Sequence, residues 1–362
     1  MKVLITGGTG FVGGKLIEEL VAEQEKWGIK KEEIYALVRE TSHIDHLKKL
    51  GINLIQGDLT DKPSLQEAVK GKELLFHLGA VVLDQSDPKM LQKVNVEGTK
   101  NLVEAFKSEP EARKFVFIST WGVYGYKVKS KPMLETQPLN PTNDYHKSKV
   151  AAEQVLKTAL SGTAINLAIV RLPMILGPGD TLTTPRVIQA FFDKKVKMIG
   201  NGKNLFSAVH VKDAAQAILT VGFKIKGRFK IYNVKSFDIS QKDYWAAHMK
   251  EINYTDKINM FPKWLAMLYA WTKEVGAKIK GQGKPTLSRH RVMRYGNTRI
   301  LDITQIQKDF QWKPEFTDGI KVIQDTVQWL IENDFVDFEH KEVRLLRRWE
   351  DALKRKKNMK KS

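Results

Sequence analysis

The chain has 362 residues, of which 42% are hydrophobic and 28% charged, the composition of an ordinary globular protein with room for more than one lobe. It contains no cysteine, which excludes disulfides, thiolate metal sites and cysteine catalysis, and we expect no metal centre. The formal net charge is +19, and residues 341–362 contribute ten Lys or Arg against three acidic residues. No nucleic-acid-binding signature accompanies this charge, so we expect no nucleic acid partner and favour a solvated basic tail on an enzyme. The charge can also attract anionic cofactors, substrates or lipid headgroups.

The first 180 residues alternate short β-branched runs with amphipathic stretches, the pattern of βαβ units on a parallel sheet. In chain order this pattern predicts strands at 2–6, 34–39, 53–56, 74–78, 114–118 and 166–171. The helices are predicted at 12–25, 43–50, 63–69, 88–107 and 145–159. The order predicts an α/β fold with a doubly wound parallel sheet, a Rossmann fold, whose ligands lie at the carboxyl ends of the strands.

The alternation breaks down after Gly179, although a strand and helix at 207–223 and a strand at 228–234 still fit the first domain. We therefore predict a dinucleotide-binding domain over 1–179 and 206–235, a smaller C-terminal substrate-binding lobe over 180–205 and 236–330, and a basic tail over 331–362. No apolar run reaches the roughly 18–20 residues of a membrane span, and the first strand is too short for a signal peptide. A soluble, cytoplasmic protein is expected.

Three glycines with the spacing G-x-x-G-x-x-G lie between the first strand and the first helix. A tight strand–helix turn could need them, but such a loop also lets the backbone approach a pyrophosphate, whose charge then lies at the helix N-terminus. The flanking strand and helix favour nucleotide binding. The residues predicted to hold the phosphates are Gly7, Thr9, Gly10, Phe11, Val12 and Gly13.

The end of the second strand bears on the choice of cofactor. An acidic side chain there usually holds a free ribose 2′-hydroxyl. Here Val38 occupies that place, and the guanidinium of Arg39 suits a 2′-phosphate, although a surface arginine would look the same. The sequence favours NADP(H), with NAD(H) as the alternative.

Further cofactor contacts are predicted near the ends of the third and fourth strands and in the long helix. Asp58 suits the adenine amino group or an Asx-turn. Small residues after the fourth strand leave room for a ribose, and Asn95 is a poor helix former from which we expect a specific hydrogen bond. These contacts are Asp58, Leu59, Leu78, Gly79, Ala80 and Asn95.

Tyr145 and Lys149 are spaced i, i+4 on a predicted helix, so they share one face. A neighbouring ammonium favours the phenolate form of a tyrosine, and Tyr145 can then exchange a proton with a substrate oxygen while hydride moves to or from the cofactor. Thr120, after the fifth strand, suits a hydrogen bond to that oxygen or an ST-turn. We predict these three residues to be catalytic.

The chain resembles the extended short-chain dehydrogenase/reductases, the superfamily of UDP-galactose 4-epimerase and the 3β-hydroxysteroid dehydrogenase/isomerases. The matching segments span about residues 1–330 and are 6–13, 58–59, 94–99, 119–125, 145–149, 171–180 and 209–213. The resemblance implies the same catalytic trio, a Lys149 that also holds the nicotinamide ribose, and a Pro173 against the nicotinamide. It also implies a homodimer formed through two long helices, here 88–107 and 145–159.

Two departures narrow the branch. Sugar-nucleotide epimerases and dehydratases usually carry Asn three residues after the position of Arg171, where this chain has Met174. The 4,6-dehydratases place an Asp-Glu pair after the position of Thr120, where this chain has Trp121 and Gly122. The second departure argues against dehydration, which needs the additional acid and base.

The C-terminal half leaves alternatives open. The aromatic segment 261–271 resembles the Pro-Trp-containing helix of 3β-hydroxysteroid dehydrogenase-like proteins and suits a buried core, a lobe interface or a hydrophobic substrate. Four arginines suit a diphosphate or a solvated basic face instead. They are Arg289, Arg291, Arg294 and Arg299. Residues 343–353 form a basic amphipathic stripe that docks on the protein's own surface or on an anionic membrane.

We therefore expect an NAD(P)-dependent oxidoreductase that interconverts a secondary alcohol and a ketone on a sterol- or lipid-like small molecule. One alternative is a nucleotide-sugar epimerase, which keeps its cofactor bound. A second is a non-catalytic dinucleotide sensor. Sensors often lack the Tyr or the Lys, and this chain has both.

Overall fold

A computed structural model describes residues 1–82, 86–126, 132–279 and 288–345. Within these residues the strands are β1 (Val3–Thr6), β2 (Ile34–Val38), β3 (Asn53–Gln56), β4 (Leu74–His77), β5 (Lys114–Thr120), β6 (Asn166–Leu172), β7 (Met174–Leu176), β8 (Met198–Ile199), β9 (Leu205–His210), β10 (Phe229–Asn233), β11 (Phe237–Ser240), β12 (Met260–Phe261), β13 (Val336–Asp337) and β14 (Glu342–Val343). The α-helices are α1 (Phe11–Ala22), α2 (Gln24–Trp27), α3 (Asp45–Leu50), α4 (Lys62–Val69), α5 (Pro88–Leu91), α6 (Gly98–Lys107), α7 (Asp144–Leu160), α8 (Thr184–Phe192), α9 (Val211–Lys224), α10 (Gln241–Glu251), α11 (Lys263–Ile279), α12 (Arg289–Gly296), α13 (Thr304–Phe310) and α14 (Gly319–Glu332).

The chain divides into two compact units. Unit 1 contains residues 1–173, 211–235 and 299–315, and unit 2 contains 174–210, 236–298 and the described residues from 316 onward. These boundaries differ from those expected. Residues 174–179 and 206–210, predicted for the first domain, belong to unit 2, where β9 pairs with β7 and β11, and 299–315 belongs to unit 1. Residues 299–315 join unit 1 because the Ile300 carbonyl accepts a 2.7 Å hydrogen bond from the amide of Met133, and Leu301 is buried in the same small apolar cluster as Met133.

Unit 1 is built on a seven-stranded sheet in the order β10-β6-β5-β4-β1-β2-β3, with every pair parallel. The strands of the predicted Rossmann fold are therefore confirmed. The strand order reverses between β1 and β4, which is where doubly wound sheets bind ligands. All four residues of β1 are buried, as expected for a strand at the centre of a parallel sheet.

Helix α7 is fixed beside the sheet by its apolar face. Its residues Ala152 and Leu156 are fully buried in a cluster that includes Phe106 of α6 and Phe115 of β5. The aromatic rings of Phe106 and Phe115 meet edge to face, with centroids 5.8 Å apart. Lys149 and Glu153 are buried on the same side of α7, so this packing also fixes their positions.

The predicted single helix at 88–107 is interrupted. A turn of π-helix at Gln92–Glu97 separates α5 from α6. Such turns are rare and occur mostly at functional sites. The apolar pattern did not indicate this interruption. Asn95 lies inside the turn, and its side chain forms hydrogen bonds outside the helix.

Unit 2 contains a small sheet, β11-β9-β7, with α8, α10 and α14. Its interior is rich in aromatic side chains. Phe191 meets Trp245 edge to face at 5.8 Å, and Phe206 meets Tyr244 in the same way at 5.3 Å. A second layer of unit 2 pairs α11 with α12, which pack through Ala266, Ala270 and Val292.

The start of the predicted basic tail is structured. Strands β13 and β14 form a hairpin, and the Val343 amide donates a 2.9 Å hydrogen bond to the Gln189 side chain of α8. The amphipathic stripe thus begins with a buried Val343, and its positions from 346 onward lie outside the described residues. Among the helices described, none has the length and apolar character needed to cross a bilayer.

Candidate active site

The glycine-rich turn after β1 is shaped by close backbone contacts. Gly7 has φ +76°, and a Cβ there would lie 2.7 Å from the Gly79 nitrogen. A Cβ on Gly13 would lie 2.1 Å from the Gly7 carbonyl oxygen. Gly10 is the N-cap of α1 and supplies no side chain to cap it, so the first-turn amides face an exposed loop tip. Helix amides without a side-chain cap suit an anion, and this turn fits a dinucleotide pyrophosphate.

The other predicted cofactor contacts follow neighbouring parallel strands, so they lie along the same edge of the sheet. Arg39 is exposed immediately after β2. Asp58 follows β3, and its Oδ1 accepts hydrogen bonds from the Thr60 amide (2.8 Å) and hydroxyl (2.7 Å), which is an Asx-turn. Pro173 is buried after β6. The carboxylate of Asp58 thus has a structural role, and an adenine contact stays a prediction.

The small residues after β4 also line this edge. Leu78, Gly79 and Ala80 are each half-buried, and Leu59 lies beneath them, 3.3 Å from where a Cβ on Gly79 would be. A larger side chain at position 79 would also meet Thr6 Oγ1 at 3.1 Å. The absence of a side chain at position 79 keeps space open at the centre of this sheet edge.

Asn95 makes the specific hydrogen bonds expected of it. It is 2% exposed, and its Oδ1 accepts from the Val81 amide at 2.8 Å. Its Nδ2 donates to the Val81 carbonyl at 2.9 Å and to Ser148 Oγ at 3.0 Å. The π-turn therefore ties the loop after β4 to α7, the helix that carries Tyr145 and Lys149.

His77, which sequence reasoning missed, extends this network to the glycine-rich turn. Thr99 Oγ1 donates to the Asn95 carbonyl (2.6 Å) and so accepts from His77 Nε2 (2.9 Å). The other ring nitrogen, Nδ1, then accepts from Thr6 Oγ1 at 2.7 Å. Burial lowers the pKa of His77 to about 3, with Lys149 as a further cause, so the ring is neutral. The sequence feature that could have indicated this residue is a histidine at the end of the otherwise apolar strand β4.

Helix α7 places the proposed acid/base pair. Asn143 caps it through a 2.6 Å hydrogen bond from the His146 amide. Tyr145, Lys149 and Glu153 follow at i, i+4 and i+8 on one face. Tyr145 is half-buried, whereas Lys149 is only 3% exposed, with its Nζ 4.0 Å from the centre of the Phe117 ring. The two side chains required by the catalytic hypothesis lie one helical turn apart.

The turn after β5 packs directly on the start of α7. Thr120 Oγ1 accepts a 3.2 Å hydrogen bond from the Gly122 amide and caps the 3-10 turn Trp121–Tyr124. A Cβ on Gly122 would lie 2.1 Å from Nε2 of His146, so glycine is required for this approach. Thr120 is thereby held near the first turn of α7, and its hydroxyl hydrogen is not used by the capping bond.

A buried ion pair that sequence reasoning missed anchors the same helix. Arg171 of β6 and Glu153 of α7 are each 1% exposed and are joined by two hydrogen bonds, Nη2 to Oε2 at 2.6 Å and Nε to Oε1 at 3.1 Å. Ser119 Oγ donates to Glu153 Oε1 at 2.6 Å, and Arg171 Nη1 donates to Tyr124 Oη at 2.8 Å. The sequence feature that could have indicated this pair is Arg171, a charged residue in the mostly apolar strand β6, because a buried charge needs a partner.

The four arginines considered for a diphosphate do not form one exposed face. Arg299 lies in unit 1 and is 1% exposed, with its guanidinium carbon 3.9 Å from the Trp121 ring centre and 4.4 Å from that of Tyr126. The others belong to α12 of unit 2, where Arg289 pairs with Glu274 at 2.7 Å. Arg299 instead supports the turn that follows Thr120.

Replacing Lys149 by Met tests its buried state. Burial lowers the pKa of Lys149 from 10.5 to about 7, and the carboxylate of Glu153 opposes that shift. Between these pH values the folded protein binds fewer protons than the unfolded chain, so wild-type stability rises with pH there. Lys149→Met lacks this effect. Between about pH 7 and about pH 9, its free energy of unfolding should therefore fall by about 2 kcal/mol relative to that of wild type.

Urea unfolding of the cofactor-free proteins measures this difference. The matched control is Lys147→Met, which removes a lysine side chain of the same helix that is 64% exposed. A stability gap between wild type and Lys149→Met that stays constant with pH would show that the amine is hydrated.

Comparison with known proteins identifies the family of the chain. Residues 3–234 match the model of the NAD dependent epimerase/dehydratase family. The chain is 28% identical over 310 residues to N-acetyl-alpha-D-glucosaminyl-diphospho-ditrans,octacis-undecaprenol 4-epimerase of Escherichia coli O157:H7, covering 84% of this chain and 88% of that protein. It is 27% identical over 303 residues to the decarboxylating sterol-4-alpha-carboxylate 3-dehydrogenase of Dictyostelium discoideum, covering 80% and 88%.

The fold is also shared with solved structures. The crystal structure of gox2253 superposes with a TM-score of 0.77 and 23% identity, covering 92% of this chain and 98% of that one. At this identity the likeness supports the fold alone. Together with the family match over most of unit 1, these comparisons show that the chain belongs to the NAD dependent epimerase/dehydratase family and is an enzyme of the extended short-chain dehydrogenase/reductase type.

Proposed function

We propose that this protein is an NAD(P)-dependent oxidoreductase that interconverts a secondary alcohol and a ketone on a hydrophobic small molecule. The observation that carries the proposal is the pairing of Tyr145 with a buried Lys149 on one face of α7. The hydrogen-bonded chain from Ser148 through Asn95 to the loop after β4 links that helix to the cofactor edge of the sheet. Unit 1 thus carries both a dinucleotide cradle and a proton-transfer group.

Each residue has a defined part in the proposed reaction. A bound nicotinamide dinucleotide supplies or accepts the hydride. Tyr145 gives a proton to the ketone oxygen in reduction and takes it from the hydroxyl in oxidation. Lys149 favours the phenolate when it is protonated, and its amine offers a hydrogen-bond donor to the nicotinamide ribose. Thr120 donates a hydrogen bond that orients the substrate oxygen, and the first turn of α1 holds the pyrophosphate.

The hydrophobic substrate class is supported by two side chains and by the relatives. Trp121, at the position of the dehydratase acid, is half-buried against the Arg299 guanidinium, so no carboxylate is available there for water elimination. Met174, at the position of the sugar-nucleotide Asn, is 9% exposed and apolar. One relative is named for a sterol carboxylate and the other for an amino-sugar diphosphate attached to undecaprenol, so both named substrates include a large apolar part.

The cofactor preference predicts a selective effect of Arg39→Ala. Arg39 is exposed after β2, in the place where a 2′-phosphate would be bound. Losing one charged hydrogen bond should weaken NADPH binding by roughly 1.5–3 kcal/mol and leave NADH binding almost unchanged. Titration calorimetry measures both, with Arg228→Ala, an exposed arginine preceding β10 at the other edge of the sheet, as control. Equal losses for the two dinucleotides would disprove the preference for the 2′-phosphate.

An epimerase that keeps its cofactor bound is the second candidate, favoured by the likeness to the Escherichia coli enzyme. The two candidates differ in net redox change. The purified protein is incubated with NADPH or NADH and with sterol or long-chain ketones. If the proposal is right, the absorbance of the reduced nicotinamide should fall as the ketone is reduced. Copurified, non-exchanging dinucleotide and interconversion of substrate stereoisomers without net absorbance change would support the epimerase instead.

A further inference from the structure

Helix α11 in unit 2 exposes a continuous row of large apolar side chains. We call this row the outer stripe; its members and their exposed fractions are Trp264 (70%), Leu268 (50%), Trp271 (48%), Val275 (39%) and Ile279 (80%). Their spacing of i, i+4, i+7, i+11 and i+15 places them on one face of the helix. Leu265 and Tyr269, 37% and 48% exposed, widen the stripe on one side.

The buried side of the same helix carries small residues. Ala266 and Ala270 are 1% and 0% exposed and pack with Ile199 and Val292. Large aromatic residues outside and alanines inside are the reverse of what a helix in water favours, and contiguous exposed apolar patches mark interaction sites. The sequence expectation that the segment 261–271 is buried core is therefore wrong for the outer stripe, and the alternatives of a lobe interface or a substrate contact stay predictions.

The surroundings of the outer stripe are strongly basic. Among the described residues 257–279 and 288–294, seven are Lys or Arg and one is acidic, Glu274. Lys263 and Lys273 lie on α11 itself, and α12, which packs against it, contributes Arg291 and Arg294. A second copy of this chain would bring two such basic surfaces together, which like-charge repulsion opposes. An anionic surface is complementary to both the charge and the apolar stripe.

We propose that α11 is an interfacial helix that docks the protein on an anionic lipid bilayer. The outer stripe enters the boundary between headgroups and acyl chains, where tryptophan and tyrosine are favoured, and the basic side chains contact lipid phosphates. The helix has 17 residues and is therefore about 25 Å long. Because it packs on α12 along its other face, it lies in the plane of the membrane surface. This proposal does not depend on the reaction proposed above.

Vesicle flotation of the full chain tests the proposal. Vesicles of phosphatidylcholine with about 30 mol% phosphatidylglycerol should bind the protein, and pure phosphatidylcholine should bind it much more weakly. The triple substitution Trp264→Ser, Leu268→Ser and Trp271→Ser should weaken binding at least about tenfold. Raising NaCl from about 0.1 M to about 1 M should also weaken it, since the Debye length falls from about 10 Å to about 3 Å.

Matched controls separate the outer stripe from other causes. Ile320→Ser, which removes a 47% exposed isoleucine from α14, should bind vesicles like wild type. Dinucleotide affinity should be the same in all variants, which reports that unit 1 stays folded. A full-length variant with Lys354, Arg355, Lys356 and Lys357 replaced by Gln tests the C-terminal tail and should keep at least the stripe-dependent part of the binding.

A label on the otherwise intact protein gives a test that does not depend on the triple variant folding. The chain has no cysteine, so Leu268→Cys can carry a single environment-sensitive fluorophore, with Ile320→Cys as control. Anionic vesicles should shift the emission of the label at 268 to the blue and leave the label at 320 unchanged. The proposal is overturned if neither label responds, if the triple variant binds as wild type does, or if only the tail variant loses binding.

Discussion

Tyr145→Phe should lower kcat roughly 10²- to 10⁴-fold, the usual contribution of a positioned general acid or base. The substitution removes one hydroxyl from a half-buried ring at the start of α7, so the helix, its Asn143 cap and the neighbouring Lys149 should keep their positions. Dinucleotide affinity should therefore change little. Steady-state kinetics with a substrate identified by NADPH consumption, together with a binding titration, measures the two quantities separately.

Tyr35→Phe is the matched control for this substitution. Tyr35 lies in β2 with Lys72 Nζ 4.0 Å from its ring centre, away from the carboxyl ends of the strands, and the change should leave kcat near the wild-type value. Turnover of Tyr145→Phe at the wild-type rate would show that another group moves the proton. A parallel loss of dinucleotide binding would show instead that the hydroxyl matters for the cofactor and not for chemistry.

Glu153→Gln should destabilise the protein by about 3–5 kcal/mol, the range for removing one partner of a buried ion pair. Arg171 would stay charged in a site where it is 1% exposed. It would lose the carboxylate that offsets its desolvation and raises its pKa. Ser119 would lose its acceptor charge as well. Urea unfolding near neutral pH measures the loss.

An exposed pair provides the comparison. Glu67→Gln breaks the pair with Lys70, whose side chains are 67% and 62% exposed, and should cost less than about 1 kcal/mol. The double change Glu153→Gln with Arg171→Met removes the uncompensated charge and should recover part of the stability. A cost of Glu153→Gln as small as that of Glu67→Gln would mean that water reaches the Arg171 guanidinium.

The parts of this site that could be predicted from the sequence are those encoded over short distances along the chain. The glycine-rich turn and the pair Tyr145 and Lys149 are each contained in one turn or one helical repeat, so spacing alone indicates their geometry. The strands of the parallel sheet were equally accessible, since each is a short apolar run. Asn95 was recognised because its residue type is unfavourable at its place in a helix.

The parts that could not be predicted depend on contacts between distant residues. His77 bonds Thr6 across 71 positions, and no local pattern pairs them. The stacking of Arg299 on Trp121 likewise joins two residues that are far apart in the sequence. The prediction of a buried core at 261–271 was wrong for another reason. An apolar pattern indicates which residues favour leaving water, but it does not indicate whether they pack inside the protein or lie on its surface.

A crystal structure with bound NADPH or NADH tests the central claim most directly. We expect the pyrophosphate at the amides of Phe11 and Val12, and the nicotinamide ribose within hydrogen-bonding distance of Lys149 Nζ, with Tyr145 Oη facing the nicotinamide ring. A dinucleotide bound at any other edge of the sheet, or a nicotinamide ring out of reach of both side chains, would contradict the assignment of Tyr145 and Lys149 as the catalytic pair.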